Sequence, residues 1–206
     1  MLIVLTGVTA VSVAILACVN KLTEGPIAIA NAKTLSDAVA AVVPGFDNDP
    51  IEAKVTQEVD GASYAVYPAT QGGAYIGAAV ESATMGFGGE LKIIVGFDAE
   101  GKIIDYSVLS HSETPGLGSK ASFWFKEGSK GSIKGLEPGH GELTVSKDGG
   151  QVDAITASTI TSRAFLKAVN AAYAAFAAQA ATAPAKPAES VEPAEAPVPE
   201  AEQAAD

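Results

Sequence analysis

The first twenty residues of the chain, MLIVLTGVTAVSVAILACVN, contain no charged side chain, and the first charge is Lys21. Twenty residues of α-helix extend about 30 Å, which is the thickness of the hydrocarbon core of a bilayer. This run therefore predicts an uncleaved transmembrane anchor over residues 1–20. Scattered apolar residues at helical spacing predict a helical linker over residues 21–50. We expect Pro26 to interrupt the linker helix and Pro44-Gly45 to end it.

Two other interpretations of the N-terminal segment stay open. A cleaved signal peptide normally carries a basic region ahead of its apolar run, and no basic residue precedes this run. The run Ile15-Leu16-Ala17-Cys18 is close to a bacterial lipoprotein cleavage site, although Leu directly before Ala fits that site poorly. The positive-inside rule has only Lys21 to act on, which weakly favours a cytoplasmic location for the rest of the chain.

The C-terminal segment, residues 183–206, holds five prolines, six acidic side chains and one lysine. Pro, Ala and Glu without large apolar residues bury too little surface to offset the entropy of ordering, so this segment is predicted to be a disordered tail. The formal net charge of the chain is -11. The tail contributes -5 of it (one lysine against six acids), which leaves -6 for the rest.

Composition excludes several classes of protein. Hydrophobic residues make up 48% of the chain, which is enough for a folded core. One cysteine and two histidines argue against a disulfide-stapled or zinc-finger protein, and no metal site is predicted. The negative charge argues against nucleic acid as a partner, because phosphate binding needs clustered Lys and Arg.

The sequence of the body predicts strands followed by a helix. Residues 52–110 contain five short runs rich in Val, Ile and Tyr, several of them alternating apolar and polar residues, as is typical of β-strands. Asp98–Gly101 is predicted to form a hairpin turn, and Glu142–Ser146 a last strand. After Ile160 the apolar spacing becomes helical, with Phe165, Val169 and Tyr173 one turn apart. This order predicts an α+β fold over residues 51–182, with a mixed or antiparallel sheet and a closing helix.

Hydroxyl groups crowd the start of the predicted closing helix, at Thr156, Ser158, Thr159, Thr161 and Ser162. Ser and Thr commonly cap helices, so capping is one interpretation. Unpaired N–H groups at a helix N-terminus also favour phosphate, and Arg163 in the first turn would add a positive charge. Both interpretations stay open on these residues alone.

The loop Leu109–Lys120 is the second candidate site. Pro115-Gly116 favours a tight turn, and Gly118 permits close approach of the backbone to a ligand. His111 and Glu113 could act as a general acid–base pair, although a solvated loop histidine is the commoner case. A hydrolase is disfavoured because the Gly-x-Ser-x-Gly nucleophile elbow is absent from the sequence.

Both segments resemble motifs of one known family. Asp153-Ala-Ile-Thr-Ala-Ser-Thr159 looks like the flavinylation motif of FMN-binding domains, Asp-x-x-Ser/Thr-Gly/Ala-Ala/Ser-Thr. His111-Ser-Glu-Thr-Pro-Gly-Leu-Gly118 is similar to the His-x-Glu-Thr-Pro-Gly-Leu-Gly loop of the same family. With its N-terminal anchor, the chain resembles the G subunit of Rnf-type electron transport complexes over about residues 1–180. The C subunit of the sodium-pumping NADH:quinone reductase is the related alternative. Ala157-Ser158 stands where Gly-Ala is commonest, and its small size suggests that the departure is tolerated.

The resemblance implies a cofactor and its attachment. FMN would be bound covalently through its phosphate to Thr159, installed from FAD by a flavin transferase that uses a divalent metal. Asp153, Thr156 and Ser158 would belong to the attachment motif. The loop would lie along the flavin ring and fix its orientation and potential, through residues Glu113, Thr114, Leu117 and Gly118. The resemblance implies no catalytic residue in the chain itself.

The function so implied is an electron relay. The chain would be the single-pass subunit of an ion-translocating ferredoxin:NAD oxidoreductase complex in the inner membrane, with its domain on the extracytoplasmic side and the other subunits as partners. One alternative is a lipid-anchored or secreted extracytoplasmic binding module without a redox role. A free FMN-binding reductase domain is another.

Overall fold

The computed structural model describes residues 1–182, and the tail predicted to be disordered, residues 183–206, lies outside the described residues. The helices are α1 (Leu2–Val42), α2 (Ala121–Trp124) and α3 (Thr159–Thr182), with 3-10 turns at Gly118–Lys120, Pro138–His140 and Ser146–Asp148. The strands are β1 (Val55–Val59), β2 (Ala62–Gln71), β3 (Ala74–Met85), β4 (Glu90–Asp98) and β5 (Ile103–His111). The predicted α+β fold with a closing helix is confirmed.

The strands form one antiparallel sheet in the order β1-β2-β3-β4-β5. Short turns produce this order, because each joins neighbouring strands directly. Asp60-Gly61 and Gly72-Gly73 are two-residue turns in which both residues have positive φ, the conformation whose twist matches that of the flanking strands. The turn predicted at Asp98–Gly101 is confirmed, since the Gly101 N–H donates to the Asp98 carbonyl at 3.1 Å.

One face of the sheet packs against α3. Val80, Val95 and Phe97 on the strands are fully buried there. Phe165 and Val169 of α3 are buried against them, which confirms the core-facing side predicted from their helical spacing. Tyr173, one turn further, is partly buried. The segment between β5 and α3 closes this core. Its Phe125 ring stacks on the Phe165 ring with a centroid separation of 4.2 Å, and its Ile133, Leu143, Val145, Val152 and Ile155 are buried.

The other face of the sheet packs against the C-terminal end of α1. Val39 and Val42 of α1 are buried against Tyr67 and Ile94 of the sheet. The approach is closest at Gly96 of β4, where a Cβ atom would lie 2.1 Å from the Val42 carbonyl oxygen. Burial on both faces explains why strands β3 and β4 are apolar almost throughout.

Two predictions about local structure are wrong. Pro26 does not interrupt the first helix, which is continuous over Leu2–Val42. A single proline removes one backbone hydrogen bond, and the helix-forming residues on both sides of it continue the helix. Glu142–Ser146 is not a strand, although Leu143 and Val145 are buried as the alternation required. The Asn170 side chain takes the place of a strand partner, since it donates to the Leu143 carbonyl and accepts from the Leu143 N–H, each at 3.0 Å.

The N-terminal helix fits a single-pass membrane anchor. Among the described residues, the helix Ile3–Val42 is long and apolar enough to cross a membrane, with a mean hydropathy of 2.2 over its best window. None of that window is buried inside the protein. An exposed apolar surface of this length needs an apolar environment, which a bilayer supplies.

The contact between Gly96 and α1 provides a test of this packing. Replacing Gly96 with Ala places a Cβ atom against the Val42 carbonyl, so we expect Gly96→Ala to lower the free energy of unfolding by about 1–3 kcal/mol. The matched control is Gly25→Ala in the exposed part of α1, where no atom lies within 4 Å of the new Cβ. Thermal unfolding of the detergent-solubilised chain measures both. Equal melting temperatures for the two variants would contradict the packing of α1 on β4.

Candidate functional site

The loop that follows β5 and the first turn of α3 are joined by a buried hydrogen bond. The Thr161 hydroxyl donates to Oε2 of Glu113, with 2.8 Å between the oxygens and 48 residues between the two positions. Thr161 is 1% exposed and Glu113 is 5% exposed. The two segments that the sequence singled out therefore form one site.

Glu113 also holds the turn between β3 and β4. Its Oε1 accepts hydrogen bonds from the backbone N–H of Phe87 at 2.8 Å and of Gly88 at 3.4 Å. Hydrogen bonds to an ionised carboxylate are among the stronger ones in proteins, particularly away from water. Through its two oxygens, this one side chain fixes three separate stretches of the chain around the same site.

Gly118 faces the carboxylate and hydroxyl of this bond. A Cβ atom at Gly118 would lie 2.3 Å from Oε2 of Glu113 and 2.8 Å from Oγ1 of Thr161. The close backbone approach predicted at Gly118 is therefore made to the protein's own side chains. Its approach to a flavin ring stays a prediction.

His111 does not form an acid–base pair with the Glu113 carboxylate. Its Nδ1 accepts a hydrogen bond from the Glu113 backbone N–H at 3.3 Å, and its side chain is exposed. The carboxylate of Glu113 points instead to Phe87, Gly88 and Thr161. This arrangement gives no support to hydrolase chemistry at His111.

Two of the crowded hydroxyl groups serve the local structure. The fully buried Ser162 accepts the Ile155 N–H at 2.9 Å and donates to the Ser158 carbonyl at 3.0 Å, which closes the turn before α3. Thr161 is occupied with Glu113. Structural hydrogen bonding thus accounts for these two hydroxyls and leaves the others to be explained.

Thr159 is the first residue of α3 and is half-buried. Its hydroxyl accepts a hydrogen bond from Nζ of Lys147 at 3.1 Å. Within residues 1–182, the backbone N–H groups of Thr159, Ile160 and Thr161 donate no hydrogen bond, as is usual in a first turn. The helix dipole and these free donors favour negative charge beside Thr159.

Arg163 is not placed to supply that positive charge directly. Its Nε and Nη2 donate to the two carboxylate oxygens of Asp148, each at 2.7 Å. This hydrogen bonding lowers the pKa of Asp148 below its usual value and raises the pKa of Arg163. The ion pair fastens the turn Ser146–Asp148 to α3 one turn after Thr159.

A groove of about 380 Å³ lies between the two motif segments. This volume is within the range of small-molecule and cofactor sites. Its three large apolar residues are exposed, with exposed fractions of 68% for Phe87, 41% for Leu117 and 53% for Ile160. The groove is lined by Phe87, Glu113, Thr114, Leu117, Gly118, Ala157, Ser158, Thr159, Ile160 and Thr161.

Most of the predicted site residues line this groove, but Asp153 and Thr156 do not. The Asp153 carbonyl accepts a hydrogen bond from the Trp124 indole at 2.8 Å, and Thr156 is exposed. Ala157 has a φ of 63°, in the left-handed region that favours glycine. This conformation, in addition to small size, explains why glycine is commonest at this position of the motif.

Sequence reasoning missed Phe87, Ile160 and Lys147. An aromatic residue in a glycine-rich turn, Gly86-Phe-Gly-Gly89, was a usable signal for Phe87. Ile160 follows the motif directly and had no pattern of its own. Lys147 lies twelve positions before Thr159, and only the fold brings the two together.

The chain is similar to known proteins of one family. Residues 86–174 match the FMN-binding domain family. The chain is 35% identical over 167 residues to the G subunit of the ion-translocating oxidoreductase complex of Cereibacter sphaeroides (strain ATCC 17029), covering 78% of this chain and 75% of that protein. It is 38% identical over 161 residues to the G subunit of Aliivibrio fischeri (strain ES114), covering 73% and 77%. The G subunit of Yersinia pestis is 36% identical over 179 residues, which are 81% of each chain.

Glu113 is expected to contribute strongly to stability. Glu113→Ala leaves the Phe87 N–H and the buried Thr161 hydroxyl without an acceptor, so we expect the free energy of unfolding to fall by about 3–5 kcal/mol. Glu113→Gln keeps one carbonyl acceptor and an amide donor for Thr161, and should lose about 1–2 kcal/mol. Denaturant unfolding measures both.

The control is Glu90→Ala, at an exposed glutamate where β4 begins. It should change the free energy of unfolding by less than about 0.5 kcal/mol. If Glu113→Ala were as stable as Glu90→Ala, Glu113 would not hold the three segments together.

Proposed function

The chain belongs to the family of G subunits of ion-translocating oxidoreductase complexes, and we propose that it serves such a complex as a membrane-anchored electron relay with FMN bound covalently to Thr159. The observation that carries this proposal is the joining of two distant motifs in one groove beside an accessible threonine hydroxyl. The electron-transfer role follows from the family, and the attachment residue is our proposal from the geometry and the motif.

Accessibility favours Thr159 over Ser158, Thr161 and Ser162 as the attachment point, and the exposed Thr156 does not line the groove. Thr161 is 1% exposed and hydrogen-bonded to Glu113, and Ser162 is fully buried. Ser158 is 9% exposed. Thr159 is half-buried and lies where the free N–H groups of α3 stabilise a phosphate.

The groove suits the rest of FMN. Phe87, Leu117 and Ile160 offer apolar surface for a flat ring, and their exposure leaves that surface open to solvent in the protein alone. Glu113 fixes the turn that carries Phe87 and the loop that carries Leu117, so the groove is formed before the cofactor arrives. Bound FMN supplies the ability to accept and donate one or two electrons.

Attachment needs a partner enzyme, because a threonine hydroxyl is a weak nucleophile on its own. We propose that a flavin transferase uses FAD and a divalent metal. The Thr159 oxygen forms a bond to the FMN phosphorus, the bond between that phosphorus and AMP breaks, and the hydroxyl proton passes to a base on the transferase. AMP leaves, and no electron is transferred in this step.

The proposed partners and location follow from the anchor and the family. α1 holds the domain at the inner membrane beside the other subunits of the complex. The complex as a whole exchanges electrons between ferredoxin and NAD. We place the domain on the extracytoplasmic side. A covalent link is useful there, because a dissociating cofactor would be lost to the surrounding medium.

Replacement of Thr159 tests the attachment. The parent protein, purified from its native membrane, should carry the mass of FMN less one water on the peptide that contains Thr159. Thr159→Ala should lack this mass and show no in-gel flavin fluorescence. Thr56→Ala is the matched control, since Thr56 is an exposed threonine of β1 that does not line the groove, and it should keep the flavin. Unchanged fluorescence of Thr159→Ala would exclude Thr159 as the attachment residue.

Protease protection tests the location. Protease added to intact spheroplasts should digest the domain and leave cytoplasmic marker proteins whole. Cys18→Ser should stay in the membrane as the parent does, because α1 rather than a lipid on Cys18 is the anchor. A mature protein that begins at a lipidated Cys18 would contradict the uncleaved helix, and a protected domain would contradict the orientation.

A further inference from the structure

A lysine lies beside the hydroxyl of Thr159. Nζ of Lys147 is 3.1 Å from Oγ1 of Thr159, and both side chains are reachable from solvent. A phosphate bonded to that oxygen would be within reach of the same ammonium group. None of the motif residues in the sequence supplies a positive charge at this point.

The position of Lys147 is fixed by its neighbour in the chain. Asp148 makes two hydrogen bonds of 2.7 Å with Arg163. Arg163 follows Thr159 by four residues, so the two occupy the same face of α3 one turn apart. The ion pair therefore places the turn Ser146–Asp148 along this face. The buried Val145, bridged to Val152, fixes the turn from the other side.

The ammonium group of Lys147 is available for an anion. Several basic side chains of the domain are paired with carboxylates, for example Lys92 with Glu81 and Lys126 with Asp105. Within residues 1–182, Lys147 makes no ion pair, and the adjacent Asp148 is bound by Arg163. In a chain of net charge -11, a phosphate needs such a local positive group to offset the general repulsion.

We propose that Lys147 is the charge partner of the phosphate attached to Thr159. It would bind the phosphate during attachment and afterwards hold the phosphodiester at the start of α3, so that the flavin is directed into the groove. Arg163 would act as a positioning residue through Asp148. This inference rests on the proposed attachment of FMN to Thr159.

The test compares three variants. Lys147→Gln removes the charge and Lys147→Arg keeps it. Lys167→Gln removes an exposed charge on α3 that lies two turns, or about 12 Å, beyond Thr159. Each protein is incubated with a limiting amount of flavin transferase, FAD and Mg²⁺, and attachment is followed by intact mass. The phosphorus-31 resonance of the flavinylated protein is the second measurement. It reports on the surroundings of the phosphate and not on how the transferase docks.

Attachment should be about tenfold slower in Lys147→Gln, as expected for loss of a charge-assisted hydrogen bond, and within about threefold of the parent in Lys147→Arg. The difference should shrink at about 1 M salt, because exposed charges are screened. The phosphorus resonance should move in Lys147→Gln and stay in place in Lys167→Gln.

The outcomes separate the two proposals. If the parent carries FMN on Thr159 but Lys147→Gln matches Lys167→Gln in rate and resonance, the role of Lys147 is overturned and the proposed function stands. A slower rate with an unmoved resonance assigns Lys147 to transferase recognition and also overturns the inference. If the parent carries no phosphorus on Thr159, both proposals fail.

Discussion

The buried hydrogen bond between Thr161 and Glu113 is the contact on which the site depends. It joins a loop that leaves the sheet to a helix that begins more than forty positions later, while the other carboxylate oxygen holds the turn that carries Phe87. A buried carboxylate whose oxygens accepted no hydrogen bond would lower the free energy of unfolding. The hydrogen bonds from the surrounding donors therefore stabilise both the carboxylate and the segments that carry the donors. Gly118 is required because any side chain there would enter this contact.

The sheet connects this site to α1, the helix that fits a membrane anchor. α3 covers one face and the end of α1 covers the other, and the two cores are separated only by the thickness of the sheet. α1 is continuous from the apolar N-terminal segment to Val42, whose carbonyl lies against β4. The part of α1 between the predicted membrane span and Leu35, residues 21–34, is exposed and extends about 20 Å. The helix therefore joins a segment that fits a membrane anchor to a core element, and as an anchor it would set the distance of the domain from the bilayer.

The groove combines apolar surface at one end with hydrogen-bond donors and a positive charge near the other. Phe87, Leu117 and Ile160 expose apolar surface at one end, whereas free N–H groups and Lys147 provide positive potential near Thr159. A molecule with a flat apolar part and a phosphate matches both ends. The ion pair between Asp148 and Arg163 is important for this match. Both carboxylate oxygens of Asp148, the neighbour of Lys147, accept hydrogen bonds from Arg163, which leaves the Lys147 ammonium group for the phosphate.

The sequence by itself determined the parts of this protein that depend on local pattern. An uncharged run of twenty residues predicts an anchor, alternating apolar residues predict the strands, and the spacing of Phe165 and Val169 predicts the buried face of α3. These signals are reliable because hydropathy and periodicity act on neighbouring residues. The two motifs likewise indicated the family and most of the residues that line the groove.

The tertiary structure alone decided which of the crowded hydroxyl residues are buried and which are accessible beside the groove. In the fold, Glu113 accepts a structural hydrogen bond from Thr161. Arg163 pairs with Asp148, and the Asn170 side chain takes the place of a strand beside Leu143. Lys147 came to lie beside Thr159 for the same reason. Each of these contacts joins residues between twelve and 48 positions apart, and no local pattern encodes it. Their geometry depends on how the sheet, the connecting segment and α3 pack together, since packing sets both the distance between polar groups and their access to water.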